Sequence, residues 1–193
     1  MSTKYKVVLI GDSAVGKTSI FTRFEHGEFN EDHELTVGGA YSKVSVKTQF
    51  ETIEFGIWDT AGQEKFRNIV PMYFQHSNFV LIVFDITSTD SFQSVRDWAE
   101  LIQDKAPEDA RIILIGNKVD LIAERKIQKE QIDKAAQEIG AIFCCETSAK
   151  TGEGVQTLIE RIAEECIFSE KQANVQINSV PEDSTEKTKS GCC

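Results

Sequence analysis

The chain has 193 residues, a formal net charge of −10, 40% hydrophobic and 27% charged residues, 12 Gly and 3 Pro, the profile of a folded domain and not of a disordered chain. Its longest charge-free apolar runs, Phe79 to Phe84 and Ile112 to Gly116, fall far short of the roughly 20 residues that a membrane-crossing helix needs. The acidic balance excludes broad electrostatic binding to nucleic acid, whose phosphates require a basic surface.

Met1 to Lys6 shows neither a long apolar stretch nor a small-residue cleavage site, so no secretory signal is expected and residence should be cytosolic. An apolar strand over Lys6 to Ile10 then runs into Gly11-Asp12-Ser13-Ala14-Val15-Gly16-Lys17-Thr18, with helix-forming Thr18 to Glu25 behind it. That is a G-x-x-x-x-G-K-[ST] phosphate loop in the strand-loop-helix setting it requires. Backbone N–H groups from Ser13 to Ser19 can curl around a β-phosphate at the helix N-terminus, Lys17 supplies a point charge, and the Thr18 hydroxyl suits Mg²⁺.

Two strand-like runs follow, Val44 to Val46 and Ile53 to Trp58, with only Thr48 to Glu51 between them. That gap is too short for a crossover, so a hairpin and one antiparallel edge strand are expected. Asp59-Thr60-Ala61-Gly62 begins where the second run ends, the place where an open α/β sheet meets its ligand. Asp59 is therefore a candidate Mg²⁺ partner, through water.

Further strands are expected at Phe79 to Phe84, Arg111 to Ile115 and Ala141 to Cys145. Helical spacing links Phe92, Val95, Trp98, Leu101 and Ile102, then Ile127, Ile132, Ala135, Ala136 and Ile139, then Val155, Leu158, Ile159, Ile162 and Cys166. The alternation predicts an α/β fold: a six-stranded, mostly parallel sheet with one antiparallel edge strand and helices on both faces. From about Glu170 no aliphatic periodicity survives, which divides the chain into a domain over 1–169 and a flexible tail over 170–193. Five cysteines, an odd number, suit neither a disulfide framework nor zinc spacing, and Cys144, Cys145 and Cys166 read as inert thiols.

Phosphate loops serve ATP and GTP alike, so the base must be read elsewhere. Asn117-Lys118-Val119-Asp120 and Glu146-Thr147-Ser148-Ala149-Lys150 each follow a strand; taken singly, either is a polar strand-to-helix loop. The Asp120 carboxylate can accept two N–H bonds that guanine offers and adenine does not, which leaves the wrong base facing an unpaired charge. In this order after the phosphate loop and Asp-x-x-Gly, the two motifs resemble those of the small Ras-like GTPases, over Lys4 to about Phe168. The resemblance implies a P-loop small GTPase fold that binds GTP and GDP with Mg²⁺ and hydrolyses GTP. It also implies that Asn117 and Lys118 steady the base, the Ala149 N–H binds the guanine carbonyl oxygen in the loop of Ser148, Lys150 packs by the ribose, and Phe29 stacks across the nucleotide. Thr36 would join Thr18 and Asp59 at Mg²⁺, the Gly62 N–H would meet the γ-phosphate, and Gln63 would orient the attacking water. An ATP-using kinase or ATPase is disfavoured by Asp120 and the lack of a lid-like domain, and a non-hydrolysing scaffold by Gln63, Thr36 and Asp59.

Within that superfamily the chain resembles Rab proteins. Ile57 to Ile69, Ile82-Val83-Phe84-Asp85-Ile86-Thr87 and the terminal Cys192-Cys193 match Rab-type signatures. Tyr41, Trp58 and Tyr73 stand at the positions of the family's effector-face aromatic triad, beside Val37 and Gly38, and can equally pack beneath the loop. Val37-Gly38-Gly39-Ala40-Tyr41 and Pro71-Met72-Tyr73 resemble the early-endosome branch, whereas Phe74-Gln75-His76-Ser77 departs from its usual Tyr-Arg-Gly-Ala. The Gly38-Gly39 pair is expected to loosen the effector loop. The resemblance implies geranylgeranyl groups on Cys192 and Cys193, and two lipids anchor far more stably than one. Lys171, Lys187 and Lys189 stand against Glu170, Glu182, Asp183 and Glu186, so the tail is no polybasic lipid reader. The implied partners are an activating protein, an exchange factor, a dissociation inhibitor, an escort protein and effectors. The protein is expected to be a monomer on the cytosolic face of an intracellular membrane, early endosome by the branch resemblance, cycling with the cytosol.

Overall fold

The computed structural model describes residues 4–30, 36, 38–62 and 69–177. In chain order these form β1 (Lys4–Ile10), α1 (Lys17–His26), β2 (Gly39–Lys47), β3 (Thr52–Thr60), a 3-10 turn (Val70–Phe74), β4 (Phe79–Asp85), α2 (Thr89–Lys105) and β5 (Arg111–Asn117), then a short 3-10 turn (Ile122–Glu124), α3 (Lys129–Glu138), β6 (Phe143–Thr147) and α4 (Val155–Ile177). The strands lie in one sheet in the order β2-β3-β1-β4-β5-β6. Every pair is parallel except β2 with β3. The expected fold class is therefore the observed one.

Strand periodicity explains the two cores. In β1, Val7 and Leu9 point to the face covered by α1 and α4, while Val8 and Ile10 point to the face covered by α2 and α3. β4 at the centre is buried along its whole length, which is why its sequence is a continuous apolar run with no alternation. Each fully buried Leu, Ile or Phe contributes about 1.5–3 kcal/mol relative to exposure, and Leu9, Ile10, Phe79, Leu81, Ile82 and Phe84 line the middle of the sheet.

Several boundaries differ from the sequence reading. β2 starts at Gly39, well before Val44, because its backbone pairs with β3 from Gly39 opposite Thr60 to Lys47 opposite Thr52. β6 starts at Phe143 and not Ala141, since the Ala141 N–H still closes the end of α3 onto the Ala136 carbonyl at 2.9 Å. Ile127 is buried but precedes α3, its N–H donating to the Ile86 carbonyl at 3.1 Å. α4 continues to Ile177, beyond the position 170 assigned to the start of the tail. Lys171, Gln172, Ala173 and Gln176 are good helix formers, so backbone propensity favours the helix over this stretch. No helix among the described residues is long and apolar enough to cross a membrane.

Candidate nucleotide site

Parallel strands put their carboxyl ends on one edge, and the loops leaving β1, β3, β5 and β6 converge there around a cavity of about 410 Å³. The phosphate loop between β1 and α1 can form only with glycine at its ends. Gly11 has φ +139, and a side chain there would strike the Val83 carbonyl; Gly16 has φ +96, and a side chain would strike the Asn117 amide. Lys17 is only 5% exposed, and its ammonium lies inside the loop, donating to the carbonyls of Gly11 at 2.9 Å and Asp12 at 2.6 Å. Burial pushes its pKa down to about 8, against the opposing pull of Asp59 and Asp12.

Three hard oxygens meet beside it. The Thr18 hydroxyl donates to Asp59 Oδ2 at 2.7 Å and lies 2.8 Å from the Thr36 hydroxyl, and Asp59 is completely buried. One carboxylate with two hydroxyls is a donor set that suits Mg²⁺, which prefers oxygen and completes its octahedron with phosphate and water. Gly62 packs so closely over the phosphate loop that a side chain there would strike the Lys17 ammonium and the Asp12 backbone.

Asn117 joins this half to the base-reading loops. Its Nδ2 donates to the Val15 carbonyl at 2.9 Å, and its Oδ1 accepts from the Thr147 hydroxyl and the Ala149 N–H, both at 3.1 Å. The Ala149 N–H, expected to meet the guanine carbonyl, thus has an acceptor of its own here, as a buried donor requires. Lys118 takes a left-handed backbone, φ 71, with its ammonium 2.6 Å from Asp85. Asp120 accepts the Ser148 hydroxyl at 2.5 Å, which aims its carboxylate while leaving it capacity for further donors.

Residues 6–168 match the Ras family model. The chain belongs to the Ras family. Proteins of the Ras family are small GTPase switches that bind GTP and GDP with Mg²⁺, hydrolyse GTP, and act through regulators and effectors.

Of the residues singled out in the sequence of this Ras-family chain, Ser13, Ala14, Gly16, Lys17, Thr18, Ser19, Phe29, Thr36, Gly62, Asn117, Lys118, Asp120, Ala149 and Lys150 line the cavity. Val15, Asp59 and Ser148 are buried. Gln63, Val37, Cys192 and Cys193 lie outside the described residues. Thr60, inside the Asp-x-x-Gly run, and Leu121, just after Asp120, also line the cavity. The Trp98 indole donates to Asp12 Oδ1 at 2.9 Å, and Arg125 pairs with Glu146 at 2.6 Å; these supports come from distant segments and leave no local pattern.

On the adjoining face, Tyr41 and Trp58 oppose each other across β2 and β3 with ring centroids 4.9 Å apart, and Trp58 lies 5.6 Å from Tyr73. Gly38 has φ +93, and a side chain on Gly39 would meet the Tyr73 hydroxyl at 2.7 Å and its ring at 2.8 Å. The glycine pair therefore serves geometry, a left-handed turn followed by close packing under an aromatic ring.

Proposed function

We propose that this Ras-family protein is a Rab-type GTPase regulating vesicle traffic, with its globular part over 1–169 and a tail over 170–193 ending in a lipid-anchored Cys192-Cys193. The observation that carries the reading is the continuous aromatic ladder Tyr41–Trp58–Tyr73, with Tyr41 48% exposed. It joins the strand behind Thr36 to the segment beyond Gln63, so it can report the nucleotide state to a partner.

The Ser13 to Ser19 backbone and Lys17 hold the phosphates, and Thr18, Thr36 and Asp59 are the residues that would hold Mg²⁺. When bound there, the ion would supply positive charge against the phosphate oxygens. Asp120 accepts from the guanine edge, Asn117, Lys118, Ser148, Ala149 and Lys150 shape the base pocket, and Phe29 covers the nucleotide. Gln63 orients a water in line with the γ-phosphate, while Thr36 and the Gly62 N–H close onto that phosphate. Hydrolysis removes what they hold and releases both segments, so effectors meet Val37, Gly38 and the aromatic ladder in the GTP state only. Intrinsic hydrolysis is slow, and an activating protein speeds it by about 10³ to 10⁵. An exchange factor reloads GTP, and a dissociation inhibitor and an escort protein handle the prenylated chain, which acts as a monomer. The run Val37 to Tyr41 favours early endocytic membranes.

Imaging of the protein tagged at its N-terminus, beside a fluid-phase tracer taken up for a few minutes, tests this reading against a Cys192→Ser/Cys193→Ser control. Tracer-positive vesicles that lose the protein in the control are expected. Membranes without tracer would discard the endocytic branch, and an unchanged control would discard the lipid anchor.

A further inference from the structure

Arg23 belongs to no motif. It stands near the end of α1, the helix that grows out of the phosphate loop, and its guanidinium reaches the base-reading loop more than a hundred residues later. Nε donates to the Ala149 carbonyl at 2.8 Å and one terminal nitrogen to the Lys150 carbonyl at 2.7 Å. The other terminal nitrogen donates to the Gly27 carbonyl at 2.6 Å, and Gly27 in turn closes α1 through its N–H to the Arg23 carbonyl at 3.0 Å. Gly152 lies 3.8 Å from the guanidinium at its would-be Cβ, so the loop passes directly over the cation.

Three carbonyls from two elements are gathered by one planar group. A guanidinium can do this because its donors fan out in a fixed plane and it stays charged; a lysine ammonium at the end of a flexible stem cannot reproduce the fork. From the cavity side, Asn117 and Asp120 hold Ala149 N–H and the Ser148 hydroxyl. Arg23 holds the same loop from behind by its carbonyls, which restrains the backbone on both sides of Lys150. A nucleotide in the cavity touches both α1, at its phosphate end, and this loop, at its base end. A clasp that keeps the two together keeps the cavity shaped around the nucleotide.

We propose that Arg23 is a positioning residue that sets how long guanine nucleotide stays bound, by clasping the base-reading loop to the helix of the phosphate loop. The proposal rests on the reading of Asn117, Asp120 and Ala149 as the guanine site. The guanidinium bonds go to the Ala149, Lys150 and Gly27 carbonyls and not to Thr18, Thr36, Asp59 or Gly62, so the chemical step is left alone while residence time changes.

The test uses the full chain loaded with Mg²⁺ and fluorescent GDP. Arg23→Met should release GDP at least tenfold faster, and Arg23→Lys should recover only a small part of the loss. Hydrolysis of preloaded GTP in a single turnover, corrected for release, should stay within twofold. Arg111→Met serves as a control for general destabilisation: Arg111 donates to the Glu165 carbonyl at 3.2 Å and packs over Phe79 at 4.5 Å, remote from the cavity, and its release rate should stay within twofold. Unchanged release in Arg23→Met, full recovery in Arg23→Lys, a matching fall in hydrolysis, or equal acceleration in Arg111→Met would each overturn the clasp. A wild-type protein that yields adenine nucleotide on denaturation would refute the base reading itself, an outcome distinct from guanine nucleotide whose release ignores Arg23.

Discussion

Asn117→Ala isolates the one side chain that belongs to both halves of the cavity. Asn117 is buried, and its removal strips partners from the Val15 carbonyl at 2.9 Å and from the Thr147 hydroxyl and Ala149 N–H at 3.1 Å. A buried polar group left without a partner costs about 1–3 kcal/mol, so three such groups set an upper bound of about 9 kcal/mol. In the nucleotide-free protein one of them has relief, since water can reach the space left by the amide. A loss of about 2–4 kcal/mol remains, against a total of roughly 5–15 kcal/mol for a domain of this kind. Urea unfolding of the nucleotide-free protein should show that loss as a lower midpoint with an unchanged slope. Release of GDP should quicken by tenfold or more, since each 1.4 kcal/mol is a factor of ten. A stability loss below about 1 kcal/mol together with unaltered GDP release would refute Asn117 as the joint between the phosphate and base loops.

Gln63→Leu should leave GTP binding intact and abolish most single-turnover hydrolysis; a rate equal to wild type would remove Gln63 from its role. Thr18→Asn should weaken Mg²⁺-dependent GTP binding more than GDP binding, because Thr18 meets both Asp59 and Thr36, and calorimetry of both nucleotides checks this. Gly39→Ala places a methyl against the Tyr73 hydroxyl at 2.7 Å and its ring at 2.8 Å and should shift Trp58 fluorescence and weaken effector capture, with GDP release unchanged. Burial first, then the Asp133 contact, pushes the Cys144 thiol up to about 11, and burial pushes Cys145 up to about 12. Both thiols therefore hold their protons in the fold where the unfolded chain has lost them, so stability falls as pH rises from 9 toward 11 and beyond. At pH 8, alkylation of Cys144, Cys145 and Cys166 should run about tenfold or more slower in the native protein than in urea; peptide mapping that finds equal rates would refute the assignment.

The phosphate loop was legible because its function is local: Gly11 to Thr18 are consecutive, and the glycines sit where φ must be positive or a neighbour presses close. The loops after β5 and β6 that line the cavity stand out for the same reason, each being a short run at a strand end. What could not be read is the bracing between them. Arg23 with Ala149, Trp98 with Asp12 and Arg125 with Glu146 are contacts between separate segments of chain, and a lone arginine or tryptophan carries no signature of what it will reach. The start of β2 was missed because Gly39 and Ala40 lack the branched and aromatic side chains that mark strands; only pairing with β3 makes them one. A Gly38-Gly39 pair suggests only looseness in sequence, and the structure adds a geometric reason for each glycine, a positive φ at Gly38 and the close Tyr73 side chain at Gly39.

The strand order β2-β3-β1-β4-β5-β6 has a thermodynamic corollary. The phosphate loop hangs from β1, and the base loops hang from β5 and β6 on the far side of β4, so a nucleotide that fills the cavity staples strands that are not neighbours. Each tenfold of free nucleotide above its Kd then adds about 1.4 kcal/mol to the fold, and the emptied protein is its most fragile form. Exchange of GDP for GTP therefore passes through the least stable form of the fold, and a partner that holds this emptied form lowers the cost of passing through it.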